Sequence, residues 1–378
     1  LRARADFMGG QVFRFGTDEF VLVVSDVAGD EKASLSLVRS MARRACEDLG
    51  EPYSLDVGSF ETTSCAGITL FDGRDFTASD VFKHADTALQ DAKDHGSGSI
   101  SAYTEQMDET VDRNYTLMND LRAAIGTDAL RLAYQPQAAC KGGIVGAEGL
   151  LRWNHEERGN VSPGDFIPAA ERSGLIVPLT RFVLEEAFRT LAKWKRNKSF
   201  AHLTLSVNIS ARQFENDSFV EEIAELVRNH DIDPSRLVLE LTEHVLAIDL
   251  DQVKRIMSGL KAVGVRFSLD DFGTGYSSLD QLRQLPFDEV KIDGTFVSEL
   301  EHRQGDRAIV RSIIAMADAM GMETVAEWVE TEGQRAFLSR EGCTTLQGYA
   351  FGGAVPLDVF HQQIEAQQSA ATPEFAVA

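Results

Sequence analysis

The sequence predicts an α/β protein: a modified (β/α)8 barrel with one antiparallel strand over the C-terminal two-thirds, preceded by a smaller α+β fragment. Three observations carry this reading. From about residue 121 onward, eight short apolar runs alternate with helical patterns. Each run ends in, or contains near its C-terminal end, a polar residue. The first two runs are joined only by Lys141-Gly142-Gly143, too short for the roughly dozen residues of a parallel crossover, so they form an antiparallel hairpin. A length of 378 residues suits two domains, or one barrel with a smaller partner.

The fragment opens with a β-hairpin, Val12 to Phe15 and Glu19 to Val24 around Gly16-Thr17-Asp18, read from its β-branched and aromatic runs. A helix from about Glu31 to Leu49 follows, then a strand from Ser64 to Phe71. A second helix has apolar spacing at Val81, Ala85, Ala88, Leu89 and Ala92 and stops at His95-Gly96. The fragment ends near Tyr103, and a polar helical stretch runs from Asp108 to Ile125. This places the fragment at 1–105, a helical linker at 106–120 and the barrel domain at 121–378. The barrel runs are Leu132 to Tyr134, Ile144 to Ala147, Leu203 to Val207, Leu237 to Leu239, Val265 to Leu269, Glu289 to Ile292, Thr324 to Ala326 and Thr344 to Leu346.

Acidic residues outnumber basic ones by 59 to 37, a formal net charge of -22 that repels polymeric DNA, RNA and anionic lipid head groups. A small phosphate ligand remains compatible, because a bound divalent cation reverses the local sign. The four cysteines, Cys46, Cys65, Cys140 and Cys343, form no C-x-x-C pair, which argues against a zinc ribbon and a disulfide framework. No apolar run approaches the roughly 20 residues needed to cross a bilayer, and Leu1-Arg2-Ala3-Arg4 leads into no signal-peptide hydrophobic region. The expectation is a cytoplasmic chain without a membrane segment; it begins without Met, so sensor or membrane segments can precede Leu1.

The polar residues at the run ends are Gln135, Glu148, Asn208, Glu240, Asp270, Lys291, Glu327 and Gln347. In β/α barrels the C-terminal face holds the active site. Acids are common in this chain, so one carboxylate at one strand end carries nothing, and the plain alternative is a ring of solvated acids. Four carboxylates with an Asn and a Lys at corresponding positions form a set. Oxygen donors of this kind suit Mg²⁺ or Mn²⁺ rather than Zn²⁺, for which no His or Cys cluster has ligand spacing. The adjacent Asp270 and Asp271 suit a pair of cations, the arrangement that stabilises attacking and leaving oxygens in phosphoryl hydrolysis. Asp271 opens Phe272-Gly273-Thr274-Gly275-Tyr276-Ser277-Ser278, either a glycine-hinged loop over the site or an ordinary surface turn.

Eight stretches in one order carry a family resemblance: Tyr134-Gln135-Pro136, Ala147-Glu148-Gly149-Leu150-Leu151-Arg152-Trp153, Ser206-Val207-Asn208-Ile209-Ser210, Glu240-Leu241-Thr242-Glu243, Asp270-Asp271-Phe272-Gly273-Thr274-Gly275-Tyr276, Val290-Lys291-Ile292-Asp293, Ala326-Glu327-Trp328-Val329-Glu330 and Gln347-Gly348-Tyr349. From about Leu121 to the end the chain resembles EAL domains of the GGDEF-EAL signalling family. The resemblance implies a TIM-like barrel that hydrolyses cyclic di-GMP to linear pGpG through a metal-activated water, with two Mg²⁺ or Mn²⁺ ions per site. It makes Glu148, Asn208, Glu240 and Asp270 metal ligands and Asp271 the ligand of a second cation. Glu327 becomes a metal ligand or the base, and Lys291 the group that holds the water or neutralises the phosphate. Glu243 anchors the loop after Asp271, Gln347 supports the second metal, and Gln135, Leu150, Arg152, Asp271, Glu330 and Gln347 hold substrate. Homodimers through the barrel are implied as well.

Three positions depart from the family pattern. Gly149 replaces Ala in the signature Glu-Ala-Leu. Trp328 stands where Gly is frequent, its ring either crowding the site or pointing away. Gly353 and Ala354 replace a basic residue and Pro. A cyclic di-GMP receptor that barely hydrolyses is therefore the alternative function. Arg14-Phe15-Gly16-Thr17-Asp18-Glu19-Phe20, with Ala85-Asp86-Thr87-Ala88-Leu89 and Ala92-Lys93, is similar to the second half of a GGDEF, or diguanylate cyclase, domain. Thr17 stands where that signature has its second glycine, and its Cβ obstructs the close approach of backbone to GTP. This region is read as a degenerate GTP-sensing module that tunes the barrel, with GTP as a regulator of the full-length domain, or as a packing and dimerisation surface with no ligand.

Overall fold

The alternating apolar residues of the opening hairpin fold as expected: β1 (Gly10–Arg14) pairs antiparallel with β2 (Phe20–Val24), Gly10 opposite Val24 and Arg14 opposite Phe20. The structure is a computed structural model that describes residues 10–371 apart from 26, 28, 56–57, 61, 73–75, 244, 246–248 and 274–278. The chain divides into two units, Leu1–Leu117 and Met118–Ala378.

In the first unit, Asp30 caps α1 (Glu31–Leu49) by accepting from the Ala33 N–H, which satisfies one of the free amides of the first turn. β3 (Tyr53–Leu55) and β4 (Gly58–Phe60) form a small antiparallel pair that the sequence pattern did not announce. β5 (Ala66–Ile68) is shorter than the apolar stretch around it and pairs in parallel with β6 (Ile100–Ala102). The crossover between them contains α2 (Ala78–Asp94), which starts at a Thr77/Asp80 capping box and buries Ala88 and Ala92. Thr17 is not in the left-handed backbone region that the second glycine of the resembled signature allows.

The division between the units falls inside α3 (Glu105–Ala124). The second unit begins its sheet with β7 (Leu130–Ala139) and β8 (Ile144–His155), antiparallel as the short turn requires, with Gln135 opposite Glu148. β9 (Gly159–Val161) folds back on the end of β8 and was not legible from periodicity. The helical layer then supplies α4 (Pro163–Ser173) and α5 (Ile176–Lys195). Leu179, Val183, Ala187, Leu191 and Trp194 form the buried stripe of α5, at the spacing expected of a helix packed on a sheet.

Thereafter strand and helix alternate: β10 (Thr204–Asn208), α6 (Phe219–His230), β11 (Leu237–Thr242), α7 (Leu250–Val263), β12 (Arg266–Phe272), α8 (Leu279–Gln284), β13 (Glu289–Ile292), α9 (Gly294–Ser298), α10 (Gln304–Ala319), β14 (Glu323–Ala326), α11 (Glu332–Glu341), β15 (Thr345–Gln347) and α12 (Leu357–Ala371). Parallel pairing runs from β8 through β10 to β15, and β15 closes the ring antiparallel onto β7. β7 is thus antiparallel to both neighbours, the single reversed strand of an eight-stranded barrel. No described helix is long and apolar enough to cross a membrane.

Because strand side chains alternate, Phe267 and Leu269 face the helical layer while Ser268 and Asp270 face the barrel axis. Phe267 is fully buried, 6.5 Å from the Phe214 ring centroid. Phe267→Ala is expected to cost about 3–5 kcal/mol in urea unfolding; a loss below about 1 kcal/mol would mean that the β12 face is not packed as described.

Candidate active site

Parallel register places the polar strand ends at one mouth of the barrel. Asn208 lies opposite Glu240, Thr242 opposite Asp270 and Ile292 opposite Ala326. Lys291, next to Ile292 on the short, wholly buried β13, is 1 % exposed and is the centre of the site. Its Nζ lies 2.8 Å from Glu327 Oε1, 3.1 Å from Glu240 Oε2, 3.1 Å from Asp270 Oδ1 and 3.6 Å from Glu148 Oε2. Four carboxylates from four strands or strand ends therefore surround one ammonium.

The Asp270-Asp271 pair depends on a local irregularity. In a regular strand adjacent residues face opposite sides. On β12 the register shifts between Leu269 and Phe272, so that Asp270 and Asp271 together occupy the place opposite the single residue Lys291. Asp271 is left-handed, at φ 56°, a conformation that Asp tolerates better than most side chains. The bulge re-aims the second carboxylate. Asp270, Asp271 and Glu327 consequently offer oxygens that all lie within 4.8 Å of one another.

Amides orient the acids. Asn208 Nδ2 donates to Glu148 Oε1 at 2.8 Å, which leaves an oxygen as the remaining polar atom of that side chain. Gln347 Nε2 donates to Glu148 Oε2 at 2.5 Å and to Gln135 Oε1 at 3.4 Å, while Gln137 Nε2 holds Gln347 Oε1 at 2.9 Å. Gln137 is buried and was missed from the sequence; its place two residues after Gln135, on the same strand face, was the available signal. Glu243 Oε1 accepts from the Gly273 N–H at 2.8 Å, at the start of the loop after Asp271. The rest of that loop, residues 274–278, lies outside the described residues.

A cavity of about 250 Å³ opens over the cluster, lined by Gln135, Glu148, Leu150, Asp270, Asp271, Lys291, Glu327, Trp328 and Gln347. Glu148 and Leu150 share one face of β8 by strand alternation, as does Arg152 one step further. Glu240 is buried beneath the cavity, and Asn208 and Glu243 support it through Glu148 and Gly273. Arg152 is half-buried and donates to the Leu151 carbonyl at 2.9 Å. Arg152 and the exposed Glu330 are not among the cavity-lining residues, so the structure does not bring these two expected substrate contacts into it.

Burial and crowding dictate the protonation of the cluster. Burial and the neighbouring charge of Glu148 push the Glu240 carboxyl well up. Burial also works against ionised Glu148, but the Lys291 ammonium and donors including Gln347 and Asn208 outweigh it and hold Glu148 low. Burial, with Asp270 and Glu148 adding to it and Lys291 opposing, pushes Glu327 up to about 7. Asp271 is raised by burial and by Asp270 and Asp293. Burial disfavours charged Lys291, yet the surrounding carboxylates keep its ammonium well above the usual lysine range.

This donor set fits divalent cations. Carboxylates outnumber the ammonium four to one around Lys291, and the buried Glu240 Oε1 and Glu243 Oε2 have no hydrogen-bond partner. The donors are oxygens, the preference of hard cations. Among the described residues, Asp270, Asp271 and Glu327 form a group close enough to share one ion.

Fold and site together define a modified β/α barrel with an oxygen-donor centre for divalent cations at its C-terminal mouth. The chain belongs to the EAL domain family, whose model matches residues 118–354. The model of the diguanylate cyclase, GGDEF domain matches residues 5–99. EAL phosphodiesterases depend on divalent metal in general. The chain is 37 % identical over 348 residues to the bifunctional diguanylate cyclase/cyclic di-GMP phosphodiesterase MucR of Pseudomonas aeruginosa, covering 92 % of this chain and 50 % of that one. It is 35 % identical over 351 residues to the cyclic di-GMP phosphodiesterase PdeR of Escherichia coli (strain K12), covering 92 % of this chain and 52 % of the relative. The chain thus spans about half the length of these relatives. Among solved structures, the PaMucR phosphodiesterase in complex with c-di-GMP is similar with a TM-score of 0.62 and 43 % identity, covering 65 % of this chain and 99 % of that one.

The raised carboxyls make a pH prediction for the metal-free protein. A folded-state value of about 7 for Glu327 against 4.5 unfolded means the native state keeps a proton that the unfolded chain has lost. Its stabilising contribution is full below the unfolded value and disappears as pH rises through the folded one. The melting temperature without metal is expected to fall between about pH 5 and about pH 8, less so in Glu327→Gln, and saturating Mg²⁺ or Mn²⁺ should offset the fall. A flat or rising profile in the metal-free wild type would contradict this electrostatic account.

Proposed function

We propose that the barrel hydrolyses cyclic di-GMP to linear pGpG with two Mg²⁺ or Mn²⁺ ions per site. The observation that carries this reading is the convergence of Glu148, Glu240, Asp270 and Glu327 on the buried Lys291, with Asn208 and the re-aimed Asp271 beside them. A sugar-processing pair of carboxylates needs neither the lysine nor the Asp-Asp bulge. The names of the relatives and the bound ligand of the solved EAL structure support the same substrate.

Glu148, Asn208, Glu240 and Asp270 would hold one cation, with Asp271 serving the second and Glu327 able to ligate. Such ions draw charge from phosphoryl oxygens and acidify water. Glu327, at the cavity wall with Oε1 2.8 Å from Lys291 Nζ, accepts the proton of the attacking water. The water oxygen bonds to phosphorus, the bond from phosphorus to one ribose 3′-oxygen breaks, and that oxygen departs with the bonding pair and takes up a proton from solvent to become a hydroxyl. The product is the linear dinucleotide with a 5′-phosphate. Lys291 orients the water and offsets the charge that grows on the phosphoryl group. Gln347 steadies Glu148 and the second-cation side, and Glu243 anchors the loop that Asp271 opens. Gln135, Leu150, Asp271, Gln347, Arg152 and Glu330 hold the substrate, the last two from outside the cavity proper.

The functional division follows the same reading: a degenerate GGDEF portion at 1–105, a linker at 106–120 and the phosphodiesterase at 121–378. Homodimerisation through the barrel, GTP as a regulator of a complete N-terminal domain, and a cytoplasmic location belong to it also. They rest on the family resemblance.

The test incubates the purified chain with cyclic di-GMP and Mg²⁺ or Mn²⁺, follows pGpG by chromatography and runs Glu148→Ala in parallel. The expected outcome is metal-dependent pGpG formation that falls about a hundredfold or more in the variant. Tight binding without turnover would instead identify a receptor, and neither binding nor turnover would remove the assignment.

A further inference from the structure

Trp328 is set apart from the other two tryptophans of the chain. Trp153 and Trp194 are buried at 1 % exposure each, whereas Trp328 is 56 % exposed and lines the cavity over the acidic cluster. It follows Glu327 directly and holds a left-handed backbone at φ 52°, a strained conformation for a bulky aromatic residue. The strain is local, because the Glu327 N–H before it bonds the Ile292 carbonyl and the Val329 N–H after it bonds the Gln347 carbonyl.

The ring itself has a built seat. A Cβ at Gly294 would fall 2.2 Å from Trp328 Cγ and Cδ2 and 2.7 Å from Cδ1, so the pyrrole half of the indole lies directly on the Gly294 backbone. Gly294 is buried at the first position of α9 and does not adopt a positive φ, so it is the ring above it that leaves no room for a side chain. A backbone that leaves its preferred region, and a glycine that clears space for one face of an indole, together fix an otherwise exposed aromatic surface at the cavity wall. Its neighbours there include the apolar Leu150 and the amides of Gln135 and Gln347. A flat aromatic surface beside amide donors and acceptors, next to a phosphoryl-binding cluster, matches a purine base attached to the phosphate.

We propose that Trp328 is a substrate-positioning platform on which one guanine base of the substrate stacks, held flat by Gly294, so that the adjoining phosphate is delivered to Lys291 and the carboxylates. This rests on the phosphodiesterase reading, deepens it by naming what recognises the base, and makes the indole part of the binding site rather than an obstruction.

The test combines kinetics with fluorescence on the whole chain. Trp328→Gly suits the left-handed backbone and removes the platform; it is expected to raise KM for cyclic di-GMP about tenfold, with kcat changed less than about twofold. Trp328→Phe should keep most of the affinity. Gly294→Ala, which pushes the ring from its seat, should reproduce the raised KM with Trp328 still present. Hydrolysis of bis(p-nitrophenyl) phosphate, which carries no purine, should fall by much less than cyclic di-GMP hydrolysis in all three. In the wild type, cyclic di-GMP and GMP should quench the fluorescence of the exposed indole, while ribose 5-phosphate should not. An unchanged or lowered KM in Trp328→Gly, or equal losses on both phosphodiesters, overturns the proposal, as does quenching by ribose 5-phosphate to the same extent. Absence of cyclic di-GMP turnover in the wild type defeats the phosphodiesterase reading instead, and the base-dependent quenching then decides the platform by itself.

Discussion

The organisation of the barrel mouth depends on one buried ammonium. Lys291 is enclosed by four carboxylates, and removing an ion of either sign from water carries a penalty of several kcal/mol that only close, well-oriented partners offset. Those partners come from β8, β11, β12 and the end of β14. The lysine can therefore be satisfied only when the ring is closed in register, and the acids can be tolerated only when the lysine is there. One ammonium among four carboxylates still leaves the pocket short of positive charge, so an anionic phosphodiester would be repelled unless further cations entered with it. The fit of the site to divalent metal thus follows from its excess of acids over ammonium as well as from the donor chemistry.

Around this knot the amides act as a second layer. Gln137 fixes Gln347, Gln347 and Asn208 hold the two oxygens of Glu148, and Glu243 holds the backbone of Gly273. The donors to Glu148 direct oxygens whose position matters for a small, hard cation. The bulge at Asp270-Asp271 belongs to the same layer, because it brings to one side two carboxylates that a regular strand would separate. Backbone strain is concentrated here: among the described residues, two of the three left-handed non-glycine positions, Asp271 and Trp328, line the cavity.

Much of this is legible in the sequence. Eight apolar runs became the eight barrel strands, and the three-residue turn after Cys140 correctly implied the reversed strand, because connection length constrains strand direction. Polar residues at the run ends converged for the same reason: parallel strands in register bring their C-terminal ends to one mouth. Periodicity failed where geometry is irregular. Adjacent acids on a strand read as facing opposite ways, and only the bulge reverses that. β9 is too short for a pattern of its own, and Gln137 looked like one more polar residue on a strand. The orientation of Trp328 was open in the sequence because the space that receives its ring is made by Gly294, more than thirty residues earlier in the chain. Arg152 and Glu330, named through resemblance, stand outside the cavity lining, a matter of side-chain placement that motif spacing does not encode.

The most direct test of the central claim is anomalous diffraction from crystals grown with Mn²⁺. The account predicts manganese peaks at the barrel mouth, bounded by Glu148, Asn208, Glu240 and Asp270 and by Asp271, with Lys291 retained between the acids. Crystals saturated with Mn²⁺ that show no peak there, or show one bound elsewhere on the acidic surface, would contradict it and leave the carboxylates as partners of the lysine alone.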